Sequence, residues 1–507
     1  MSSDSRRSTT RVALTLSVCA AVVAGAVSWW VQRDDTEASY GAQATASASP
    51  SAVVRPSELY SNDGGTLIAR FDTDPSDACL RIPENDWGSF CSYFVAWWLD
   101  QPAFGSTPKE RSDRLRGGGY RIVSSLDVSL QAAAKRHVEE QLPTGDARAL
   151  SVVSVQPGTG WVEAMATNRN FRPAAPAPSP SAASSGRRAP DAEYPDTTQP
   201  LAAGGATFTG EPAGATFMMF VLAAALDKGM PLSYPIDTKP RYESRYVIAP
   251  GAPVACDGNH WCPSNVGDPA YRSGRRTMWD ALGHSVVTYF VPLEERVGVQ
   301  NVVTLAHLLG ISFSSQADAV YARDATNWGS FTLGLSETTP LELANAYATL
   351  AADGTHCDPL PVRQVTDVDG KAVAAVGPKC GQVLRPEVAR AAMDAGRCPV
   401  GDRSAFGDRC GAGTVPAAAV RATVGRPVSG QVGADVGGSD ASTAMVVASP
   451  QLATAAIAAR GGCLSCRFGT SEVGKVVNAV AATQRDGLAS LPFRDFTAPP
   501  RALALGG

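Results

Sequence analysis

The sequence predicts an α/β protein with a largely antiparallel sheet flanked by helices. Residues 150–155 (LSVVSV) are rich in β-branched side chains and predict a strand. A Pro157-Gly158 turn joins this strand to a second apolar run at 160–166, so the two form a predicted hairpin. Helical apolar periodicity recurs between the hairpin and the last third of the chain. That last third alternates glycine-rich turns with three strand candidates, at 426–432, 443–448 and 452–459.

Composition limits the class of protein. The chain has 507 residues, 44% hydrophobic and 18% charged, with a formal net charge of −4. Such a chain can bury a sizeable core, which excludes a mainly disordered protein, and its charge excludes a polybasic nucleic-acid binder. Only seven of its 44 basic residues are lysines, so the place of each can be followed. They are Lys109, Lys135, Lys228, Lys239, Lys371, Lys379 and Lys475.

The N-terminus predicts a membrane anchor. Residues 12–32 carry no charge and are mostly apolar, and a helix of that length spans about 30 Å, the thickness of a bilayer core. Arginines precede this segment and acidic residues follow it, and Trp29 and Trp30 lie near its end. The positive-inside rule therefore places the N-terminus in the cytoplasm and the main part of a single-pass protein outside the membrane.

Two alternatives concern the same segment. A cleaved signal peptide would use Ala24-Gly25-Ala26 as its small-residue site. A lipoprotein would use Cys19, but bulky Val18 precedes it. The uncleaved anchor is favoured because the apolar run is long and ends in tryptophans. With either an anchor or a signal peptide, the bulk of the chain is predicted to be extracytoplasmic.

The cysteines agree with an oxidising compartment. Outside the predicted anchor there are ten, and they fall in five close sequential couples that predict up to five local disulfides. The Cys463-Leu464-Ser465-Cys466 couple also suits a redox or metal half-site, but no second pair completes one, so neither a metal nor a cofactor is expected. The couples are Cys79 with Cys91, Cys256 with Cys262, Cys357 with Cys380, Cys398 with Cys410, and Cys463 with Cys466.

Five regions follow in order along the chain. Residues 34–64 are predicted to be a flexible spacer rich in Ala, Ser and Thr. The regions are the cytoplasmic tip with its anchor (1–33), the spacer (34–64), a linker region (65–118), the main domain (119–492) and a C-terminal tail (493–507).

The elements of the linker region and main domain are predicted in the same order. The aromatic stretch 90–98 predicts a buried helix, residues 122–127 a strand, and residues 130–142 an amphipathic helix that Ser129 begins. Residues 172–190 are too polar and proline-rich to pack and predict a surface loop. Further helices are predicted at 215–228, 277–296, 300–309 and 340–353.

Several stretches resemble the penicillin-binding proteins, specifically the transpeptidase domain of the actinobacterial bifunctional (class A) type. The resemblance covers about 400 residues and implies the fold shared by serine β-lactamases and D,D-transpeptidases, with an activity that cross-links peptidoglycan. The matching stretches are CSYF (91–94), PAFG (102–105), 114–121, SLD (125–127), LQAA (130–133), VQPGTG (155–160), AMATNRN (164–170), FTLG (331–334), PLELANAYA (340–348) and SPQLATA (449–455).

The three motifs that such an enzyme needs are degenerate. The resemblance places Ala215 at the serine and Met218 at the lysine of Ser-x-x-Lys, whose serine attacks and whose lysine takes up the proton. Ser-x-Asn becomes Ser285-Val286-Val287, so its asparagine position holds Val287. Lys-Thr-Gly-Thr becomes Gln431-Val432-Gly433-Ala434, in which only the glycine is kept.

No alternative catalytic set replaces these motifs in the sequence. The literal Ser106-Thr107-Pro108-Lys109 lies in the linker region and contains a proline, and Lys-Ser/Thr-Gly occurs nowhere. Ser285 is the one alternative nucleophile worth testing, and neighbouring His284 is expected to point away from it.

The resemblance therefore implies an inactive homologue that binds or scaffolds in cell-wall assembly. Its expected partners are peptidoglycan stem peptides or cell-wall synthesis proteins. The backbone N–H groups of Ala215 and Ala434 would be available to a bound peptide. Acylation by β-lactams is not expected. About forty residues between anchor and linker are too few for a glycosyltransferase domain. The alternatives are an active D,D-transpeptidase or carboxypeptidase using Ser285, a β-lactam or muropeptide sensor, and a decayed duplicate.

Overall fold

The computed structural model describes residues 55–83, 87–173, 194–252, 254–265, 269–373, 376–410, 417–434, 441–460 and 468–507. These residues form fourteen α-helices and seventeen strands. The strands are β1 (Ser57–Tyr60), β2 (Leu67–Phe71), β3 (Arg121–Ser124), β4 (Ala149–Val155), β5 (Val162–Thr167), β6 (Asn170–Phe171), β7 (Asp196–Thr197), β8 (Glu211–Pro212), β9 (Ile236–Thr238), β10 (Gly274–Arg276), β11 (Glu337–Thr338), β12 (Thr355–Cys357), β13 (Val362–Thr366), β14 (Cys380–Gln382), β15 (Ser429–Ala434), β16 (Ser442–Ala448) and β17 (Ala453–Ala459). The helices are α1 (Pro75–Leu80), α2 (Gly88–Asp100), α3 (Pro108–Gly117), α4 (Val128–Gln141), α5 (Met218–Asp227), α6 (Met278–Gly283), α7 (Val287–Val297), α8 (Val299–Leu308), α9 (Gln316–Arg323), α10 (Pro340–Ala351), α11 (Pro386–Ala395), α12 (Val420–Val424), α13 (Thr470–Leu488) and α14 (Arg501–Leu505).

The main sheet has five strands in the order β15-β16-β17-β4-β5, and every neighbouring pair is antiparallel. The predicted hairpin is the β4–β5 pair, in which Val153 lies opposite Met165. The strand candidates of the last third are β15, β16 and β17, although β15 begins at Ser429 and not at residue 426. The predicted α/β class with a largely antiparallel sheet is confirmed.

The main sheet separates two hydrophobic cores, and this explains its sequence. Side chains alternate between the faces of a strand, so Val153 packs into one core while neighbouring Val152 packs into the other. Helix α10 covers the first face, and α4 and α13 cover the second. With both faces covered, β4, β16 and β17 are buried along their whole length and read as nearly continuous apolar runs.

A second sheet corrects the predicted spacer. Residues 57–60, assigned above to a flexible segment, form β1, which pairs antiparallel with β2 and parallel with β3. Strand β13 completes this sheet in the order β13-β3-β1-β2. The composition of residues 55–64 did not reveal a strand, because its partner strands come later in the chain.

Three helix predictions need correction at their ends or inside. Helix α4 is begun by Asp127, whose side chain accepts hydrogen bonds from the N–H groups of Ser129 and Leu130, so Ser129 is not the cap. The predicted helix 215–228 begins as a 3₁₀ helix (Gly214–Phe217) and continues as α5. The predicted helix 277–296 is two helices, α6 and α7, separated by a turn at Ser285.

Four of the five predicted disulfides are present, and the fifth couple, Cys463 with Cys466, lies outside the described residues. The predicted loop 172–190 also lies almost wholly outside them, as does the predicted anchor 12–32. In the part of the chain that the structure describes, no helix has the length and apolar character needed to cross a bilayer. The disulfides are Cys79–Cys91, Cys256–Cys262, Cys357–Cys380 and Cys398–Cys410.

Candidate functional site

The first motif segment lies at the start of the most buried helix region. Gly214 adopts a left-handed φ of 61° and opens the 3₁₀ helix that leads into α5. Ala215 is 4% exposed and Met218 is fully buried. The hydroxyl of Thr216 donates to the Ala213 carbonyl (2.9 Å), which fixes this turn internally.

The second segment is the turn between α6 and α7. Ser285 has a φ of 50°, a left-handed conformation that is uncommon for a residue with a side chain. Val286 and Val287 are buried on the helical side of the turn. Val287, the predicted equivalent of the motif asparagine, is therefore an apolar side chain packed into the core.

The third segment is strand β15, which pairs with β16 alone among the described residues. Its Gln431 side chain is fully buried, and the Nε2 atom donates to the Ser285 hydroxyl and to the Leu282 carbonyl, both at 3.3 Å. This bond joins two segments that are 146 residues apart. We call the place where 214–218, 285–287 and 431–434 meet the motif junction.

Three glycines allow the backbones at the motif junction to touch. A Cβ atom on Gly433 would lie 1.9 Å from the Ala213 carbonyl oxygen, and one on Gly214 would lie 2.5 Å from the Ala434 carbonyl oxygen. A Cβ atom on Gly334 would lie 2.1 Å from the Gly214 carbonyl oxygen. The glycine kept from the third motif is thus needed for close packing of β15 on the 3₁₀ helix.

Hydrogen bonds from the surrounding elements hold this frame. The Ser442 hydroxyl of β16 donates to the Pro212 carbonyl at 2.6 Å, and the Thr443 hydroxyl donates to the Gly433 carbonyl at 3.0 Å. From the other side, the buried Tyr347 hydroxyl of α10 donates to the Thr216 carbonyl at 2.9 Å. These hydrogen bonds hold the segments of the motif junction together.

His284 is engaged with α6 and not with Ser285, as expected from the sequence. Its Nδ1 atom lies 2.9 Å from the Asp280 carbonyl and 3.4 Å from the Asp280 carboxylate, and its ring stacks on Tyr271. Burial opposes ionisation of Asp280, but hydrogen bonds from His284 and Arg276 outweigh it and hold the pKa of Asp280 below its usual value. Among the described contacts of Ser285, the side-chain partner of its hydroxyl is the amide of Gln431.

Two lysines that bear on the predicted motifs are paired elsewhere or exposed. Lys109, from the literal Ser-x-x-Lys, lies on exposed α3 and pairs with Asp113 at 2.6 Å. Lys239 contacts helix α7 through its backbone: the Lys239 carbonyl accepts a hydrogen bond from the Thr288 hydroxyl at 2.7 Å. The Lys239 side chain is exposed. No hydrogen bond within the described residues joins a lysine side chain to Ser285.

Comparison with known protein families and relatives gives the family. The model described as the penicillin binding protein transpeptidase domain matches residues 150–394. The chain contains a penicillin-binding protein transpeptidase domain. Penicillin-binding protein 1A of Aquifex aeolicus (strain VF5) is 28% identical over 183 residues, which are 36% of this chain and 22% of that protein. Penicillin-binding protein 1A of Mycolicibacterium smegmatis is 27% identical over 263 residues, 50% of this chain and 27% of that protein.

A solved structure shows that the likeness extends to the fold. The PonA1 protein of Mycobacterium tuberculosis in complex with penicillin V aligns with a TM-score of 0.55 and 22% identity, covering 76% of this chain and 90% of that one. The chain spans about a quarter of the length of the two curated relatives, so their whole-protein activities do not transfer to it directly. The predicted transpeptidase-like α/β fold is confirmed.

The individual motif assignments stay predictions, although the structure brings their segments together. The transpeptidase model covers positions 215–218 and 285–287 and ends before 431–434. The sequence reasoning missed the Gln431–Ser285 hydrogen bond and the packing role of Gly433. The Gln431–Ser285 hydrogen bond had no signal in the sequence. Gly214, Gly334 and Gly433 could have indicated close contact between backbones.

Proposed function

We propose that this chain is a catalytically inactive penicillin-binding protein homologue that acts as a binding or scaffolding module in peptidoglycan assembly. The observation that carries the proposal is the methyl group of Ala215 at the nucleophile position, with fully buried Met218 one turn later. A methyl group cannot attack a carbonyl, and a thioether cannot hold a proton at neutral pH. Acyl transfer to a serine needs both a nucleophile and a base.

The setting of Ser285 also supports inactivity. A nucleophilic serine is activated when a base accepts its proton. The Gln431 amide nitrogen instead donates a hydrogen bond to the Ser285 hydroxyl, and an amide N–H cannot accept a proton from it. Among the described side-chain contacts of the Ser285 hydroxyl there is thus a hydrogen-bond donor and no base that could accept its proton.

The intact frame supports a retained binding role. Replacement of the motif serine, lysine and asparagine by alanine, methionine and valine avoids unpaired polar groups, whose burial is costly. The three close-packed glycines and the Thr443 bond to Gly433 keep β15 in place, and bonds from Ser442 and Tyr347 hold the segment 212–216 beside it. Strand β15 pairs with β16 alone among the described residues, and a strand with one unpaired edge can bind an extended peptide through backbone hydrogen bonds, so we propose non-covalent binding of a stem peptide or a cell-wall synthesis protein there.

The proposed location is the outer side of the cytoplasmic membrane, with residues 12–32 as a single-pass anchor. The charge distribution around that segment supports this orientation. The four disulfides support an oxidising compartment, since such bonds are rare in the cytosol.

The proposal is tested with the purified full-length chain and a synthetic peptidoglycan stem peptide. We expect no cleavage of the D,D-peptide bond above the buffer control by chromatography, and saturable binding of the intact peptide by calorimetry. Cleavage that disappears in Ser285→Ala would instead establish the alternative, an active enzyme with a non-standard nucleophile. Absence of both cleavage and binding would overturn the stem-peptide role.

A further inference from the structure

A carboxyl group without a partner lies in the centre of the helical part of the domain. Glu294 of α7 is 0% exposed, and neither of its carboxyl oxygens has a hydrogen-bond partner among the described residues. Two other buried hydroxyl groups, those of Tyr246 and Thr332, are also unpartnered within the described chain. The Tyr246 hydroxyl and the Thr332 backbone N–H, not the Thr332 hydroxyl, are the groups near Glu294 that act on its charge, and the 3₁₀ helix that carries Thr332 packs on α7.

The next residue on the helix provides a sharp contrast. The carboxylate of Glu295 accepts a hydrogen bond from the Tyr242 hydroxyl and another from the Arg245 backbone N–H, each at 2.7 Å. The Arg245 side chain donates to the Glu295 backbone carbonyl. The arginine nearest in the chain to Tyr246 is thus bound to Glu295, and no cation acts on Glu294 among the described residues.

Titratable groups on the elements around α7 have other partners. The negative charge of Glu295 and the Tyr246 hydroxyl are the titratable groups that act on Glu294. The 3₁₀ helix Gly329–Leu333 carries no titratable side chain. On the remaining neighbouring elements, Asp227 pairs with Arg385, Asp237 with Arg275, Asp280 with Arg276, and His307 bonds the Ile311 carbonyl.

Burial of an unpaired carboxylate is costly, so this group is held in its neutral form. Burial raises the pKa of Glu294 well above its ordinary value, and the contacts with Tyr246 and the Thr332 backbone only partly offset this. A neutral carboxyl group fits the space between α7, Tyr246 and the 3₁₀ helix. An ionised one would favour displacement of α7 toward water.

Displacement of α7 would act on the motif junction. Helix α7 begins at Val287, two residues after Ser285, and its first turn is tied to Asn265 through the Thr288 N–H at 2.9 Å. We propose that Glu294 is a proton-controlled latch, which keeps α7 seated against Tyr246 and the 3₁₀ helix while its carboxyl group is neutral and releases α7, with the Ser285 turn, when it ionises.

The sign of the pH effect follows from proton binding. The folded chain keeps a proton on Glu294 that the unfolded chain loses above about pH 4.3, so stability falls as the pH rises toward the raised pKa. Burial also raises the pKa values of Glu163 and Glu211, each to about 7. The window from pH 7 to 9 therefore separates Glu294 from these two groups.

The experiment measures the full-length chain and Glu294→Gln by urea unfolding and by amide hydrogen exchange of residues 287–297, corrected for intrinsic exchange rates. Between pH 7 and 9 the wild-type opening constant of α7 should rise with pH and exceed the global unfolding constant. In Glu294→Gln it should be independent of pH. Glu163→Gln is the matched control and should keep the wild-type slope.

Each opposite result overturns the latch. A wild-type α7 whose opening is independent of pH shows that Glu294 does not titrate in this window. The same slope in Glu294→Gln assigns the effect to another group, and an opening constant equal to the global constant removes the local release. If Glu294→Gln does not fold, Glu294→Met serves in its place, and the wild-type slope still decides whether a proton is held.

Discussion

The Gly433→Ala variant tests whether close packing explains the glycine in the predicted third motif. In β15 the added Cβ atom would lie 1.9 Å from the Ala213 carbonyl oxygen and 3.2 Å from the Ala215 nitrogen. Real Cβ atoms essentially never approach another atom within 3.0 Å, so the strand and the 3₁₀ helix must separate by about 1 Å in a region packed like a crystal. Overpacking of this kind costs about 1–3 kcal/mol.

The assay is urea unfolding of the full-length chain, with Gly474→Ala as the matched control. Gly474 lies within helix α13, and a Cβ atom there would meet nothing within 4 Å. The same substitution should therefore stabilise the chain by about 0.5–1 kcal/mol. If Gly433→Ala is no less stable than Gly474→Ala, the packing explanation for Gly433 is wrong.

Three further predictions follow from local contacts. Asp127→Ala should cost about 1 kcal/mol because it removes the α4 cap, whereas Ser129→Ala should change the unfolding midpoint little; equal effects would contradict the cap assignment. Hydrogen bonds from His284 and Arg276 hold the pKa of Asp280 low despite its burial, so its contribution is lost as the pH falls below about 4. Asp280→Asn should accordingly flatten the acid limb of a stability profile, and an unchanged limb would exclude this cause. Non-reducing peptide mapping should recover the four disulfides of the described residues, and any exchanged partner would refute the set Cys79–Cys91, Cys256–Cys262, Cys357–Cys380 and Cys398–Cys410.

The parts of the fold that the sequence predicted well are those fixed by neighbouring residues. The β4–β5 hairpin follows from a β-branched run and a Pro-Gly turn. Helix α10 has a local start signal, a capping box in which Thr339 and Glu342 satisfy each other's backbone N–H groups. Both signals lie within a few residues of the element that they specify.

The parts that the sequence did not predict depend on contacts between distant segments. The helical pattern of 277–296 hides the turn at Ser285, whose left-handed backbone is joined to Gln431 across 146 residues. Strand β1 exists because β2 and β3 supply its partners. The neighbouring acids Glu294 and Glu295 look alike in sequence, and only the packing of Tyr246 and Arg245 makes one buried and the other paired.

The candidate site was predictable as a set of segments and not as a set of contacts. Family resemblance pointed to residues 215–218, 285–287 and 431–434, and the fold brings these three together. The resemblance could not show that the Gln431 amide donates a hydrogen bond to the Ser285 hydroxyl, because this bond depends on the conformation of the Gln431 side chain at the motif junction. The proposed loss of reactive groups is a prediction from the sequence, whereas the contacts that hold the three segments together require the structure.

Intact-protein mass spectrometry after incubation with a fluorescent penicillin tests the central claim most directly. Ring opening by a nucleophile adds the whole β-lactam to the protein, so one acylation raises the mass by the mass of the probe. An active penicillin-binding protein in the same experiment serves as the positive control. The account predicts an unchanged mass for the full-length chain. A stable adduct, above all one that Ser285→Ala abolishes, would contradict it.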